Sequence, residues 1–178
     1  SGNILWGEKS TNLIKKNETE IALLGIGRKF QKPTVFENKS LIENLILSQK
    51  KNRNPFNVLF QRNSEHDIKN IIKILKDINL LNIKDKRAGD ISHGQKQWLE
   101  IGMLLTQNPK LLLVDEPAAG MTPNERNQTV QILKKLSKSS SIIVVEHDME
   151  FVRNLNCRVT VLNAVSYTHL TLPTNTPV

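Results

Sequence analysis

The residues best suited to chemistry stand at the end of an apolar run. Leu111-Leu112-Leu113-Val114-Asp115-Glu116-Pro117 reads as a buried strand that delivers two carboxylates at its exposed end. Two anions are unfavourable there unless something cationic binds them. A second group is Ile91-Ser92-His93-Gly94-Gln95, at the start of a predicted helix. Free backbone N–H groups and the positive dipole end, the Ser92 hydroxyl and the close approach that Gly94 permits together suit an anion such as phosphate. A third is Glu146-His147-Asp148, which follows the apolar run Ile142 to Val145. Each group also has an ordinary structural reading: two solvated acids, a helix capped by Ser92, and a histidine bonded to a neighbouring carbonyl.

The elements that must position these residues follow from spacing. A short strand and turn is expected over Ser1 to Thr11, and a short helix over Glu18 to Leu24, stopped by Gly25 and Gly27. Leu41, Ile42, Leu45 and Ile46 recur at helical spacing and predict a helix ending near Lys50, followed by a polar linker, Lys51 to Asn57. A second helix carries Ile68, Ile71, Ile72, Leu75 and Ile78, and a third runs from about Gly94 to a stop before Pro109. The pattern then alternates: strand Lys110 to Asp115, helix Asn124 to Leu136, strand Ser141 to Glu146, helix Met149 to Asn154, strand Arg158 to Leu162. Such alternation predicts a parallel α/β sheet, with the runs at 111–114 and 142–145 as strands covered on both faces. Ligands of such sheets bind beyond the carboxyl ends of the strands, where Asp115, Glu116, Glu146 and His147 fall.

Taken together, these segments resemble the ATPase subunits of ABC transporters. Ser92-His93-Gly94-Gln95 resembles the signature motif, Leu111 to Glu116 the Walker B strand, and His147 the switch histidine; Gln31 in Arg28-Lys29-Phe30-Gln31-Lys32-Pro33 resembles the Q-loop glutamine. The order along the chain is the family's. The resemblance implies a P-loop NTPase core with a parallel sheet and an inserted helical subdomain at about 36–108, within a partial ATPase domain at 1–163. It implies ATP and Mg²⁺ as cofactors: Glu116 and His147 catalytic, Ser92, Gly94 and Gln95 on the nucleotide, Asp115 and Gln31 on the nucleotide and the metal. It also implies a second ATPase subunit in a homo- or heterodimer, transmembrane permease subunits, an indirect solute-binding partner and a peripheral place on the cytoplasmic face of a membrane. Gly25 to Gln31, Ser92 to Trp98 and Asp115 to Thr122 are similar to the urea and branched-chain amino-acid importer branch, and Lys96 to Met103 leans toward urea.

The departures are also informative. Thr122 and His93 replace residues usual in many members, and no Gly-x-x-x-x-Gly-Lys-Ser/Thr phosphate loop occurs, Gly2, Gly7, Lys9 and Ser10 failing its spacing. The family expectation is therefore a fold incomplete at both ends, whose first segment is a strand of an outer sheet and which is inactive alone. The Thr- and Pro-rich stretch 164–178 lacks family resemblance and reads as an unassigned, non-native or flexible tail.

Composition bounds the alternatives. At 178 residues, with 38% hydrophobic and 24% charged residues, the chain is long enough for a globular core, and no apolar run approaches the length of a membrane span. The net charge of +8 comes from scattered lysines without interleaved aromatics, so no specific nucleic-acid partner is expected. Single Cys157 excludes an internal disulfide and reads as a small buried residue. Two rivals stand beside the transport ATPase: an ABC-type ATPase acting on DNA or ribosomes, which usually carries coiled-coil arms or paired cassettes, and a non-catalytic regulatory fragment.

Overall fold

The computed structural model describes residues 2–28, 35–49, 65–163 and 166–170. The proposed linker at 51–57 and most of the loop around Gln31 lie outside them. The chain opens on a small antiparallel hairpin, β1 (Leu5–Trp6) and β2 (Thr11–Asn12), turned at Gly7, whose φ is +71°. Its apolar residues Ile4 and Leu5 remain exposed. Helix α1 (Glu18–Leu23) starts on a capping box in which Asn17 and Glu20 bond each other's backbone N–H.

Gly25, at φ +86°, turns the chain directly into β3 (Ile26–Arg28), a strand where the sequence pattern predicts only the stop of a helix. Gly25 and Gly27 look like stop signals, yet Gly27 has a packing reason. A Cβ there would lie 3.3 Å from Leu112 Cδ2 and 3.4 Å from Pro109 Cβ, so glycine admits the neighbouring strand. β3 pairs in parallel with β4 (Leu111–Asp115), and β4 in parallel with β5 (Ser141–Val145), in the order β3-β4-β5.

The three helices expected between β3 and β4 are α2 (Leu41–Ser48), α3 (Glu65–Asp77) and α4 (His93–Leu105). Their inward faces meet: Leu41, Leu45, Ile71, Leu75, Ile78 and Leu99 are fully buried. Burial of each such side chain contributes about 1.5–3 kcal/mol. A Cβ on Gly102 would stand 2.6 Å from Ile78 Cδ1, so α4 passes too close for any larger residue without repacking. Asn44, buried beside them, takes the Phe36 N–H at 2.8 Å and donates to the Ser40 carbonyl at 2.9 Å, tying the approach to α2 against the helix.

α5 (Pro123–Leu136) joins two cores. Ile132 and Leu136 pack into the helical cluster, whereas Val130 and Leu133 meet Phe151 and Leu155 of α6 (Met149–Leu155). An ion pair of 2.9 Å from Lys135 to Asp77 links α5 to the end of α3.

Three expectations need correction. β5 is not covered on both faces: Ile142 and Val144 pack inward, but Ile143 and Val145 alternate to the opposite face and are more than half exposed. The last expected strand, β6 (Val159–Asn163), pairs antiparallel with β7 (Ser166–Leu170), so this terminal hairpin is separate from the parallel sheet and part of the supposed tail is strand. Cys157 is exposed, because it follows Asn156, which ends α6 in the left-handed region at φ +50° and turns the chain outward. Among the described residues no helix is long and apolar enough to cross a membrane.

Candidate functional site

Parallel pairing places the strand-end residues. Asp115 pairs in register with Val145, so the chain leaves β4 and β5 at the same level and on the same side of the sheet. Glu116 follows at φ +45°, a left-handed conformation that costs a non-glycine residue on the order of 1 kcal/mol. Its backbone compensates by donating to the Val145 carbonyl at 2.9 Å. The turn aims the carboxylate toward His147: Nδ1 lies 3.5 Å from Glu116 Oε1, with the ring 79% and the carboxylate 44% exposed. Asp115 is half-buried, and its carboxylate has no hydrogen bond or ion pair among the described residues. Asp115, Glu116 and His147 are therefore brought together, as the spacing suggested.

The neighbouring Glu146 does something different. Its side chain is only 2% exposed. Oε1 accepts the Ala118 N–H at 2.9 Å, and Oε2 accepts those of His147 and Asp148 at 3.0 and 3.3 Å. It thus pins the segment after β4 to the segment after β5, and so fixes where Glu116 and His147 stand.

The second group gathers around the start of α4. Ser92 is the N-cap and Gln95 completes a capping box, the serine Oγ accepting the Gln95 N–H at 3.2 Å and Gln95 Oε1 accepting the Ser92 N–H at 3.1 Å. The Ser92 hydroxyl donates at 2.6 Å to Glu125 Oε1, the short length of a bond to a charged acceptor. Glu125 Oε2 takes the N–H and hydroxyl of Thr122 at 3.0 and 2.9 Å, capping α5. Glu125 also lies over Gly94, where an added Cβ would come within 2.7 Å of its Cδ and Oε1. The Ser92 hydrogen bond, followed by that from the Thr122 backbone, holds the Glu125 carboxyl below the ordinary glutamate range.

Further bonds tie α4 to the loop that follows Glu116. Gln97 Nε2 donates to the Ala119 carbonyl at 3.2 Å and stands 2.8 Å from His93 Nε2, so that ring nitrogen is the acceptor. Trp98 Nε1 donates to Thr129 Oγ1 at 2.8 Å. Among the described residues, however, no hydrogen bond joins Ser92, Gly94 or Gln95 to Asp115, Glu116 or His147. Gln31 lies outside the described residues.

Sequence reading missed Glu125 and Gln97, and it placed Glu146 at the strand ends without its role as a buried tie between the two loops. Thr122-Pro123-Asn124-Glu125 is a legible capping-box pattern with proline at the first helical position. Nothing local in the sequence says that Glu125 also reaches Ser92, because that contact spans 33 residues.

Asp115 fits a hard divalent cation. Magnesium in phosphate sites binds through one or two carboxylates plus water and phosphate oxygens, and does not need a protein cage. No cluster of three or more histidine, cysteine or acidic residues that could hold a metal is present among the described residues.

A parallel sheet that presents carboxylates and a histidine at the ends of adjacent strands defines an α/β domain of the class whose ligands bind beyond the strand ends. The family pattern of the ABC transporter covers residues 1–119, and the chain belongs to that family. It is 30% identical to the high-affinity branched-chain amino acid transport ATP-binding protein BraF of Pseudomonas aeruginosa over 81% of this chain and 60% of that protein. It is 31% identical to the phosphonates import ATP-binding protein PhnC 1 of Rhodopseudomonas palustris over 92% of this chain and 61% of that one. Among solved structures, the ADP conformation of MJ1267, an ATP-binding cassette of an ABC transporter, superposes with a TM-score of 0.65 at 29% identity, covering 83% of this chain and 60% of MJ1267. The fold is that of the ATP-binding cassette. The chain spans about 60% of the length of these relatives.

Proposed function

We propose that these residues belong to the ATP-hydrolysing subunit of an ABC importer, and that the solute is a branched-chain amino acid. The solute class is supported by the names of relatives such as BraF and the LivG proteins of Methanocaldococcus jannaschii and Escherichia coli. Urea rests on the similarity of Gly25 to Gln31, Ser92 to Trp98 and Asp115 to Thr122 to the shared importer branch and on the residues Lys96 to Met103, without support from the names of these relatives. The subunit pairs with a second ATPase subunit, docks on transmembrane permease subunits at the cytoplasmic face of a membrane, and serves a solute-binding protein indirectly. The helices between 36 and 108 form its helical subdomain.

The observation that carries this reading is that Asp115, Glu116 and His147 gather at one sheet end while Ser92 and Gly94 form a second group at the start of α4. In this reading Asp115 holds Mg²⁺ through water, Glu116 polarises the attacking water, and His147 beside it contacts the terminal phosphate. Bound Mg²⁺ supplies charge neutralisation for the phosphate oxygens. Ser92, Gly94 and Gln95 serve ATP held by the other subunit, and Gln31 reports nucleotide state to the permease. The 178 residues alone do not turn over ATP, since no phosphate loop is among them.

The test is complementation in the full-length subunit. Gly94→Asp adds a carboxylate where the partner's phosphate would sit, and its homodimer should lose hydrolysis. Mixed with a subunit defective only in its phosphate loop, it forms a dimer with one site carrying both lesions and one site carrying neither. Activity of the mixture above that of either variant supports action across the dimer. Full ATPase in the Gly94→Asp homodimer rules it out.

A further inference from the structure

We propose that Glu125 is an internal anion that occupies the phosphate position at the start of α4 and must release Ser92 before the partner's nucleotide can bind there. The inference rests on the reading that Ser92 and Gly94 act across a dimer. Three observations carry it. The Ser92 hydroxyl, the group that would donate to a phosphate, already donates to Glu125 Oε1 at 2.6 Å. The space over Gly94, open in principle because glycine has no side chain, is filled by the same carboxylate, whose Cδ and Oε1 lie 2.7 Å from where a Cβ would be. The contact is also charged: the carboxyl is held in its ionised form chiefly by Ser92, at a helix end that favours anions.

Glu125 divides its two oxygens between two motifs. Oε2 holds Thr122, the last residue of the loop that starts at Glu116, while Oε1 holds Ser92. Rotation of the Glu125 side chain can free Ser92 while α5 stays capped through Oε2. A phosphate arriving at Ser92 and Gly94 carries more negative charge and more acceptor oxygens than a carboxylate, and repels the one already there. Its arrival therefore evicts Oε1. In the nucleotide-free subunit the same carboxylate satisfies the helix end and disfavours premature closure. No bond is made or broken in this exchange other than hydrogen bonds.

The test uses the full-length subunit carrying Glu116→Gln, so that ATP persists, with and without Glu125→Gln. Glutamine at this position still accepts from the Thr122 N–H and keeps the capping box, so folding is preserved while the competing charge is removed. Dimerisation is followed by sedimentation as ATP is raised. The midpoint should fall about fivefold or more in the Glu125→Gln form, in the usual range for coupled sites. An equal or higher midpoint overturns the proposal. If Glu125→Gln unfolds, the ¹³C shift of the Glu125 side-chain carboxyl in the otherwise unaltered protein decides: it should move when ATP drives dimerisation, and an unmoved signal overturns the proposal. Gly94→Asp, run alongside, separates the two levels. If it blocks ATP-driven dimerisation while Glu125→Gln leaves the midpoint unchanged, the internal-anion role fails and the cross-dimer reading stands. If it dimerises as the parent does, the cross-dimer reading fails and the inference falls with it.

Discussion

The start of α4 and the carboxyl ends of β4 and β5 hold two halves of one proposed site, yet their polar groups are satisfied to different degrees. At α4, Ser92, Gln95, Glu125 and Thr122 satisfy one another in a closed set of hydrogen bonds, with an anion already in place. At the strand ends the Asp115 carboxylate has no hydrogen bond or ion pair among the described residues, Glu116 is held in a strained backbone conformation by its N–H bond to Val145, and His147 is largely exposed. The helix end is thus preorganised by substitution, its own carboxylate standing in for a ligand. The strand end is preorganised by position alone, and in the proposed reading its carboxylates are the groups that a cation would meet. What the two share is a rigid mount: Glu146 beneath the strand ends, and the Gln97 and Trp98 bonds beneath the helix.

The sharpest way to break the comparison is to remove the charge that the strand end is built to present. In the full-length subunit Glu116→Gln keeps the shape of the side chain but not its basicity, so steady-state hydrolysis should fall by about 10²–10⁴-fold while ATP binding persists. Turnover at the parent rate would remove Glu116 from its role and leave its strained backbone without a functional reason.

A smaller effect is expected from the mount. Glu146→Ala would leave the part-buried N–H groups of Ala118 and Asp148 and the exposed one of His147 without their acceptor, a donor left unsatisfied away from water costing about 1–3 kcal/mol. Water entering the gap offsets part of this, so urea unfolding of the chain should show a loss on the order of 3 kcal/mol, and Glu146→Gln, which keeps one acceptor oxygen, a smaller one. If the alanine variant were as stable as the parent, Glu146 would be an ordinary strand-end acid, and the contrast between it and exposed Glu116 would lose its meaning.

The contrast also explains what sequence could disclose. Asp115, Glu116 and His147 were legible because each stands at or within two residues of the end of an apolar strand, so local pattern sets its place at the sheet end, although not its exposure, as buried Glu146 between Val145 and His147 shows. α2, α3 and α4 were legible for the same reason, their apolar residues recurring at helical spacing. β3 was not: it is three residues long, contains Gly27, and exists because β4 pairs with it. The exposed face of β5 was hidden as well, since Ile143 and Val145 are as apolar as their buried neighbours and only tertiary packing distinguishes them. The partnership of Ser92 with Glu125 belongs to this second kind. Each residue announced its own cap, and neither announced the other.

That partnership offers the finest and smallest test, because it should depend on pH. The Glu125 carboxyl is held below its ordinary value, first by the Ser92 hydroxyl and then by the Thr122 backbone. A group whose folded pKa is depressed stabilises the fold fully above its unfolded value, and that contribution is lost as pH falls through the folded value. Ser92→Ala removes the largest cause, and with it the N-cap, at a cost of about 1 kcal/mol near neutral pH. As pH falls from the ordinary glutamate value of 4.5 through the lower folded value, the parent protonates Glu125 and forfeits the charged character of the bond, so the two proteins should converge. Urea midpoints of parent and Ser92→Ala compared from pH 7 to pH 3 would show a gap that narrows on acidification. The neutral capping contribution, which does not titrate, sets the residual gap at the acid end. A gap of constant size across that range would mean that Ser92 acts only as a neutral cap. The anion over Gly94 would then owe its place to Thr122 alone, and the helix end would be no more preorganised for a phosphate than any other capped helix in the fold.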